Sequence, residues 1–293
     1  MLAGGGTAII WLVARRHLKF RTDVLMTDSD RPCEIVPFPK VRLRITDFLS
    51  LQHRKHVIHA LTEVDVTGPL QYIRQHRKET GERLSFTAFM TACLAKAVDE
   101  NRYVHAYRKG RSWLVLFDEV DVLTLVEHEV DGEKIATPYI FRAANKKTFQ
   151  DLHREIRAAQ EQKAREFRKM PWREQLFFAL PAFLRVPVLG AFTKSPYLRK
   201  RVQGTVAITA VGMFGKGAGW GIPMTNYTLC ITVGGIAEKP GVVGGRIEVR
   251  EFLSVTVSVD HDVVDGAPLA KFTSRLRELI ESGHSLVPHG GDS

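Results

Sequence analysis

The clearest alternation of apolar and polar positions lies near the C-terminus, from Ile247 to Asp260, where valines interleave with Ser254, Thr256 and Ser258. A period of two over so long a stretch predicts a half-buried strand. Shorter runs of strand character occupy 57–66, 113–117, 120–129, 134–141, 205–211 and 227–236, and a turn around Gly241 and Gly244-Gly245 leads into the long strand. Between these runs the period changes to that of a helix. Thr67 is expected to cap one helix, with Pro69 in its first turn and an end at Thr80-Gly81. Ser85 caps the next, whose Phe86, Phe89, Met90, Cys93, Leu94, Ala97 and Val98 form one inner face. Thr148 opens a long helix with a stripe of Phe149, Leu152, Ile156 and Ala159 and a charged outer face. A final helix, about 267–282, turns Leu269, Phe272, Leu276, Leu279 and Ile280 inward. Strands and helices mix without the regular alternation of a doubly wound sheet, so the fold class is α+β.

No linker interrupts residues 34–286, which read as one domain behind an arm of 1–33 and ahead of a polar tail, 287–293. Within that domain the segment 171–201 stands out. Its apolar run from Leu176 to Phe192 carries Arg185, Pro181 and Pro187, which suits a buried or surface-lying hairpin of short helices better than a membrane span. So much apolar surface, flanked by Arg173, Lys194 and Arg199 to Arg201, is expected to pack between subunits or on a partner. Peripheral contact with an anionic membrane is the alternative. The apolar run at the N-terminus is too short to span a bilayer, and Arg15-Arg16 follow it rather than precede it, unlike a signal peptide. It reads as a loose or interfacial arm.

Charge and cysteines narrow the classes further. The chain of 293 residues has 42 Lys and Arg against 32 Asp and Glu, a formal charge of +10 that favours anionic partners. Those include a phosphorylated cofactor, an acidic protein, a membrane face or nucleic acid. The basic residues are dispersed, at 53–56, 74–78, 165–169 and 199–201, with no nucleic-acid motif, so no nucleic-acid partner is expected. Cys33, Cys93 and Cys230 lie far apart with no CxxC pair. That excludes a disulfide framework and a Cys-built zinc site, predicts no metal, and fits a reducing, cytoplasmic setting.

Two segments carry candidate chemistry. The long strand ends on His261, followed by Asp265-Gly266 at a turn before a helix. An imidazole at a strand end can act as a general base near neutral pH. Asp265 could fix the turn by accepting backbone or arginine hydrogen bonds, and Gly266 allows a conformation that a larger residue resists. A hydrogen-bonded turn with an incidental histidine explains the same spacing. In the second segment Thr209 ends a strand and leads into a loop containing Gly212, Gly215, Gly217 and Gly219. Gly212 and Gly215 would let backbone amides approach a ligand, and the Thr209 hydroxyl could donate to a developing oxyanion. A flexible hairpin loop is the plainer reading, and the Walker pattern is missing.

Together these segments resemble the acyltransferase catalytic domain of the 2-oxo acid dehydrogenase complexes, in the chloramphenicol acetyltransferase-like superfamily. The family's DHRVxDGA stands here as Asp260-His261-Asp262-Val263-Val264-Asp265-Gly266-Ala267, and its SNxGMFG as Thr209 to Gly215. The run His59 to Thr67 looks like its PHFxxxxxVDVT strand, and Ala143 to Thr148 like its xxADKKS stretch. The resemblance implies a two-layer sandwich, a mixed sheet with helices packed on it, and a CoA-dependent acyl transfer in a homotrimer or a larger assembly. It implies that His261 deprotonates a thiol or hydroxyl acceptor and that Thr209 stabilises the oxyanion. Asp265 matches the family's structural acid, to be paired with an arginine such as Arg42 or Arg44. It also implies that the site lies between subunits, with His261 and Thr209 from different chains.

Three departures qualify that picture. Asp262 stands where the family has arginine, beside the presumed base. The stretch between the long helix and the Thr209 strand is expanded by the apolar insert. No lipoyl domain precedes the core, so the chain is read as a stand-alone form with no covalent lipoyl group. An acyl group would then come from acyl-CoA, or from a lipoyl or acyl carrier protein acting in trans. A non-catalytic oligomeric scaffold of the same fold is the competing reading.

Overall fold

In strand β8 (Arg246–Asp260), Leu253, Val255, Val257 and Val259 fall on one buried face, and Ser254, Thr256 and Ser258 on the other. Strand β7 (Leu229–Val243) pairs antiparallel with β8 along most of its length and adds Leu229, Ile231 and Val233 to the same apolar face. Strand β1 (Val57–Asp65) pairs antiparallel on the other edge of β8, from Val57 opposite Asp260 to Asp65 opposite Phe252. Strand β6 (Val206–Ala210) runs parallel to both β7 and β4 (Val122–Val130), and β4 pairs antiparallel with β5 (Glu133–Phe141). The result is a mixed six-stranded sheet of order β1-β8-β7-β6-β4-β5. A separate ribbon is formed by β2 (Tyr107–Lys109) and β3 (Trp113–Val115).

This computed structural model describes residues 55–130, 133–166, 180–210 and 217–286, with Phe38, Thr46, Asp47 and Leu49 besides. The chain divides into two units, 1–43 and 44–293, and the second holds the sheet and its helices. The arm 1–33, Arg42 and Arg44, Gly212 and Gly215, Leu176 to Phe178 and the tail 287–293 lie outside the described residues.

The helices cover the apolar face. Helix α1 (Thr67–Thr80) follows β1, and α2 (Phe86–Glu100) buries Phe89, Met90, Cys93, Leu94 and Val98. Ser85 caps α2, its hydroxyl accepting from the Ala88 amide at 3.2 Å. Helix α3 (Phe149–Glu166) packs its expected stripe against β4 and α2, and α6 (Gly266–Glu281) packs against β1 and α2. The α+β reading and the layer of helices on a mixed sheet therefore hold.

Two local expectations change, and one short strand carries no signal in the sequence. Thr67 is the first helical residue rather than the cap, with Val66 at the cap position. Its hydroxyl donates to Asp65 Oδ1 at 2.6 Å and accepts from the Glu251 amide at 2.8 Å, so a tertiary tie to β8 outcompetes capping. Strand β7 continues past Ile236 to Val243 despite Pro240 and Gly241, because hairpin pairing with β8 carries it, and the turn itself is Gly244-Gly245. The ribbon strand β2 has no apolar period of its own; Tyr107 is buried and its two neighbours exposed.

The insert contributes α4 (Ala182–Lys194), with Pro187 inside it, and α5 (Pro196–Gln203). Arg185 of α4 is buried against Asp47 at 2.7 Å, which fastens the helix, while Leu180, Leu184 and Val188 are exposed. Among the described residues no helix is long and apolar enough to cross a membrane.

Beyond the β6 strand, the glycine-rich loop returns across the sheet at a bulge in β7 between Val233 and Ile236. There the Gly235 amide donates to the Gly219 carbonyl at 3.0 Å. A Cβ on Gly234 would stand 2.0 Å from Gly219 O, and one on Gly235 would stand 2.0 Å from Gly217 O. Only glycine lets the loop lie this close.

Gly235→Ala is expected to displace the 217–219 loop, seen as new protease cleavage near Lys216 with the sheet intact by circular dichroism. Phe89→Ala should cost about 3–5 kcal/mol in urea unfolding, whereas Leu61→Ala, at an exposed position, should cost under about 1 kcal/mol.

Candidate active site

His261 is held by backbone on both sides. The Asp260 amide donates to Thr228 O at 3.0 Å and the His261 amide donates to His56 O at 2.7 Å, so the starts of β7 and β1 grip the end of β8. A tight turn follows, in which the Val263 and Val264 amides both donate to Asp260 O, and Val264 is buried in the core. The imidazole is left 46% exposed at the rim of the sheet. Its Nδ1 faces Asp265 Oδ1 at 3.6 Å.

Asp265 has its expected partners, Arg42 and Arg44, outside the described residues. It sits at the cap position of α6, but among the described residues its carboxylate bonds no backbone amide and no arginine, and it is 81% exposed. Proximity to the imidazole is what it offers. Gly266 likewise has neither a positive φ nor an atom within 4 Å of a would-be Cβ, so the turn does not require glycine there.

Asp262 is drawn into a brace. Its Oδ1 lies 2.9 Å from His56 Nδ1 and its Oδ2 accepts from Arg108 Nη1 at 2.6 Å. The hydrogen bond from His56 and then the charges of His56 and Arg108 hold its carboxyl below the ordinary carboxylate range. The brace joins β1, the β2–β3 ribbon and the His261 turn. Beside it, buried Asp260 pairs with Lys55. Burial first, and then the nearby Arg199, lower the Lys55 ammonium from its usual value, against the pull of Asp260. Arg199 stacks 3.8 Å over the Tyr107 ring, so α5 of the insert reaches the same corner. Sequence reasoning placed Lys55, His56 and Arg199 only among dispersed basic residues. No local pattern pairs positions about 200 residues apart.

Thr209 lies elsewhere. It is half-buried in β6, opposite Thr232 in β7, which is opposite Thr256 in β8. His261 is five residues beyond Thr256 and two strands away from β6, a separation of roughly 16 Å along the strands alone. One copy of the chain therefore does not bring Thr209 and His261 to a common atom. Of the predicted site residues, the structure unites His261 with Asp265 and leaves Thr209 apart. An open groove of about 560 Å³ beside α1, lined by Tyr72, Arg74, Lys78 and Gly283, contains none of them.

Because the carboxyl of Asp262 is lowered in the folded chain, its contribution to stability is present above the ordinary value of 3.8 and is lost as pH falls below it. Asp262→Asn should lower the melting temperature by about 1–3 °C at neutral pH, and the gap from wild type should close in acid, by calorimetry across pH.

Residues 199–287 match the family model for the 2-oxoacid dehydrogenases acyltransferase (catalytic domain). The lipoamide acyltransferase component of the branched-chain alpha-keto acid dehydrogenase complex of Bacillus subtilis is 24% identical over 254 residues, covering 84% of this chain and 52% of that protein. The chain spans about half the length of the curated relatives it matches along most of its own length. A probable dihydrolipoamide acetyltransferase from Listeria monocytogenes superposes with a TM-score of 0.65 at 19% identity, covering 89% of this chain and 98% of that one. The dihydrolipoamide acetyltransferase of Azotobacter vinelandii superposes with a TM-score of 0.63 at 18% identity, covering 88% and 96%. The chain thus has the fold of the 2-oxoacid dehydrogenase acyltransferase catalytic domains, and resembles that family in sequence most directly across the segment that carries Thr209 and His261.

Proposed function

We propose that the protein is a CoA-dependent acyltransferase that moves an acyl group between CoA and a thiol or hydroxyl acceptor, with His261 as general base and Thr209 as oxyanion donor. The observation that carries this reading is a pair of spacings. In the Azotobacter vinelandii acetyltransferase a serine, a histidine and an asparagine were investigated for their role in the catalytic mechanism. The histidine follows the serine by 52 residues and the asparagine follows the histidine by four, the separations from Thr209 to His261 and from His261 to Asp265 here. Thr209 keeps the hydroxyl of serine, and Asp265 keeps an oxygen that can accept from the ring.

The chemistry follows from which ring nitrogen is engaged. Asp265 faces Nδ1, which favours the proton there and leaves Nε2 as the base. Nε2 takes the proton of the acceptor thiol, the sulfur attacks the thioester carbonyl, and the carbonyl oxygen becomes an anion to which Thr209 donates. Collapse expels the CoA thiolate, which recovers the proton from the imidazolium. The brace engages both oxygens of Asp262, the carboxylate next in sequence to the base. The distance between Thr209 and His261 supports a site shared by two copies of the chain, within a trimer or a larger assembly. Gly212 and Gly215 would present loop amides to acyl-CoA, and a lipoyl or acyl carrier in trans is a candidate donor or acceptor.

Incubation with a panel of acyl-CoAs, scored for CoA release with and without dihydrolipoamide, tests the reading. His261→Ala should lower the rate by about two to four powers of ten while acyl-CoA still binds, and Thr209→Ser should be tolerated. Full activity in His261→Ala would remove the catalytic claim and favour the scaffold. A monomeric mass in solution at assay concentration would sink the shared site.

A further inference from the structure

The face of the sheet opposite the helices carries an unusual row. Thr209, Thr232 and Thr256 are register partners across β6, β7 and β8, and register partners in adjacent strands point to the same side. The neighbouring positions Ile208, Ile231, Val255 and Val257 all enter the apolar core, which puts the three hydroxyls together on the other face. Leu61 of β1 closes the row at its far end.

Burial makes the row costly. Thr232 and Thr256 are 1% and 0% exposed, and among the described residues neither Oγ1 has a hydrogen-bond partner. A buried hydroxyl without a partner is disfavoured, and native chains rarely keep two side by side without a use. The Cys230 thiol, two residues along the same face, lies against Thr232, but burial pushes it up to about 12, so it stays protonated and offers only weak sulfur. Over the next positions along β7 the glycine-rich loop closes at the bulge, its Gly219 amide reaching toward Ser254 Oγ at 3.4 Å. The row thus runs from a sealed end at Thr256 to a half-buried end at Thr209.

We propose that Thr256 and Thr232 are positioning residues that form a directed chain of hydrogen bonds, Thr256 donating to Thr232 and Thr232 donating to Thr209. The adjacent-strand spacing suits threonine-to-threonine bonds, reached by rotation about χ1 without moving the backbone. An acceptor lone pair of Thr209 is then occupied, which turns its own O–H outward and strengthens it as a donor. No proton is transferred along the row; only the direction of donation is fixed. This inference rests on the assignment of Thr209 as oxyanion donor.

The test compares Thr232→Val, Thr256→Val, Thr232→Ser and Thr209→Ala in acyl transfer from acetyl-CoA to dihydrolipoamide. Each valine variant should lower kcat roughly three- to tenfold with KM for acetyl-CoA unchanged, and Thr232→Ser should restore the rate. On a Thr209→Ala background, Thr232→Val should add nothing. Valine variants at wild-type kcat, with Thr209→Ala impaired, would overturn the row and leave the proposed function standing. Thr209→Ala at full rate would instead overturn the donor assignment.

Discussion

Strand β8 carries leucine and valine on one face and hydroxyls on the other, and its register against β1 and β7 is fixed by what each face tolerates. A slip of one residue would turn Ser254, Thr256 and Ser258 into the packed layer beneath α2 and α6, and Leu253, Val255 and Val257 out of it. Both flanking strands are set by that choice. So is the point at which the strand runs out, at Asp260, and with it the position of His261 at the rim.

The two faces then do different work. The apolar face is closed by helices whose stripes match it, and its side chains are almost wholly removed from water. On the other face β8 carries Ser254, Thr256 and Ser258, and a glycine-rich loop lies on β7 at a bulge where two glycines leave room for its carbonyls. At the rim, ionic ties replace packing. Lys55 with Asp260, and His56 and Arg108 with Asp262, hold the turn that follows β8 to elements drawn from distant parts of the chain.

Much of this was legible in the sequence where the signal is local. The alternation of β8, the stripe of α3 and the Ser85 cap each lie within a short window, and the turn bearing His261 and Asp265 stands in an uninterrupted motif. What escaped is set by pairing between remote positions. Thr67 reads as a cap until Glu251 is brought beside it, Asp262 reads as a free charge until His56 and Arg108 arrive, and three threonines become a row only through register. For Asp265 the spacing from His261 gives proximity, and the arginines expected to anchor it, Arg42 and Arg44, lie outside the described residues.

The separation of Thr209 from His261 along the sheet has a genetic consequence. If each site borrows one residue from a neighbouring copy, a chain lacking the histidine and a chain lacking the threonine are damaged in opposite halves of every site. Mixed in one assembly, the two defective chains would pair an intact half with an intact half at some interfaces. Two alleles of this gene, each inactive alone, would then restore one another.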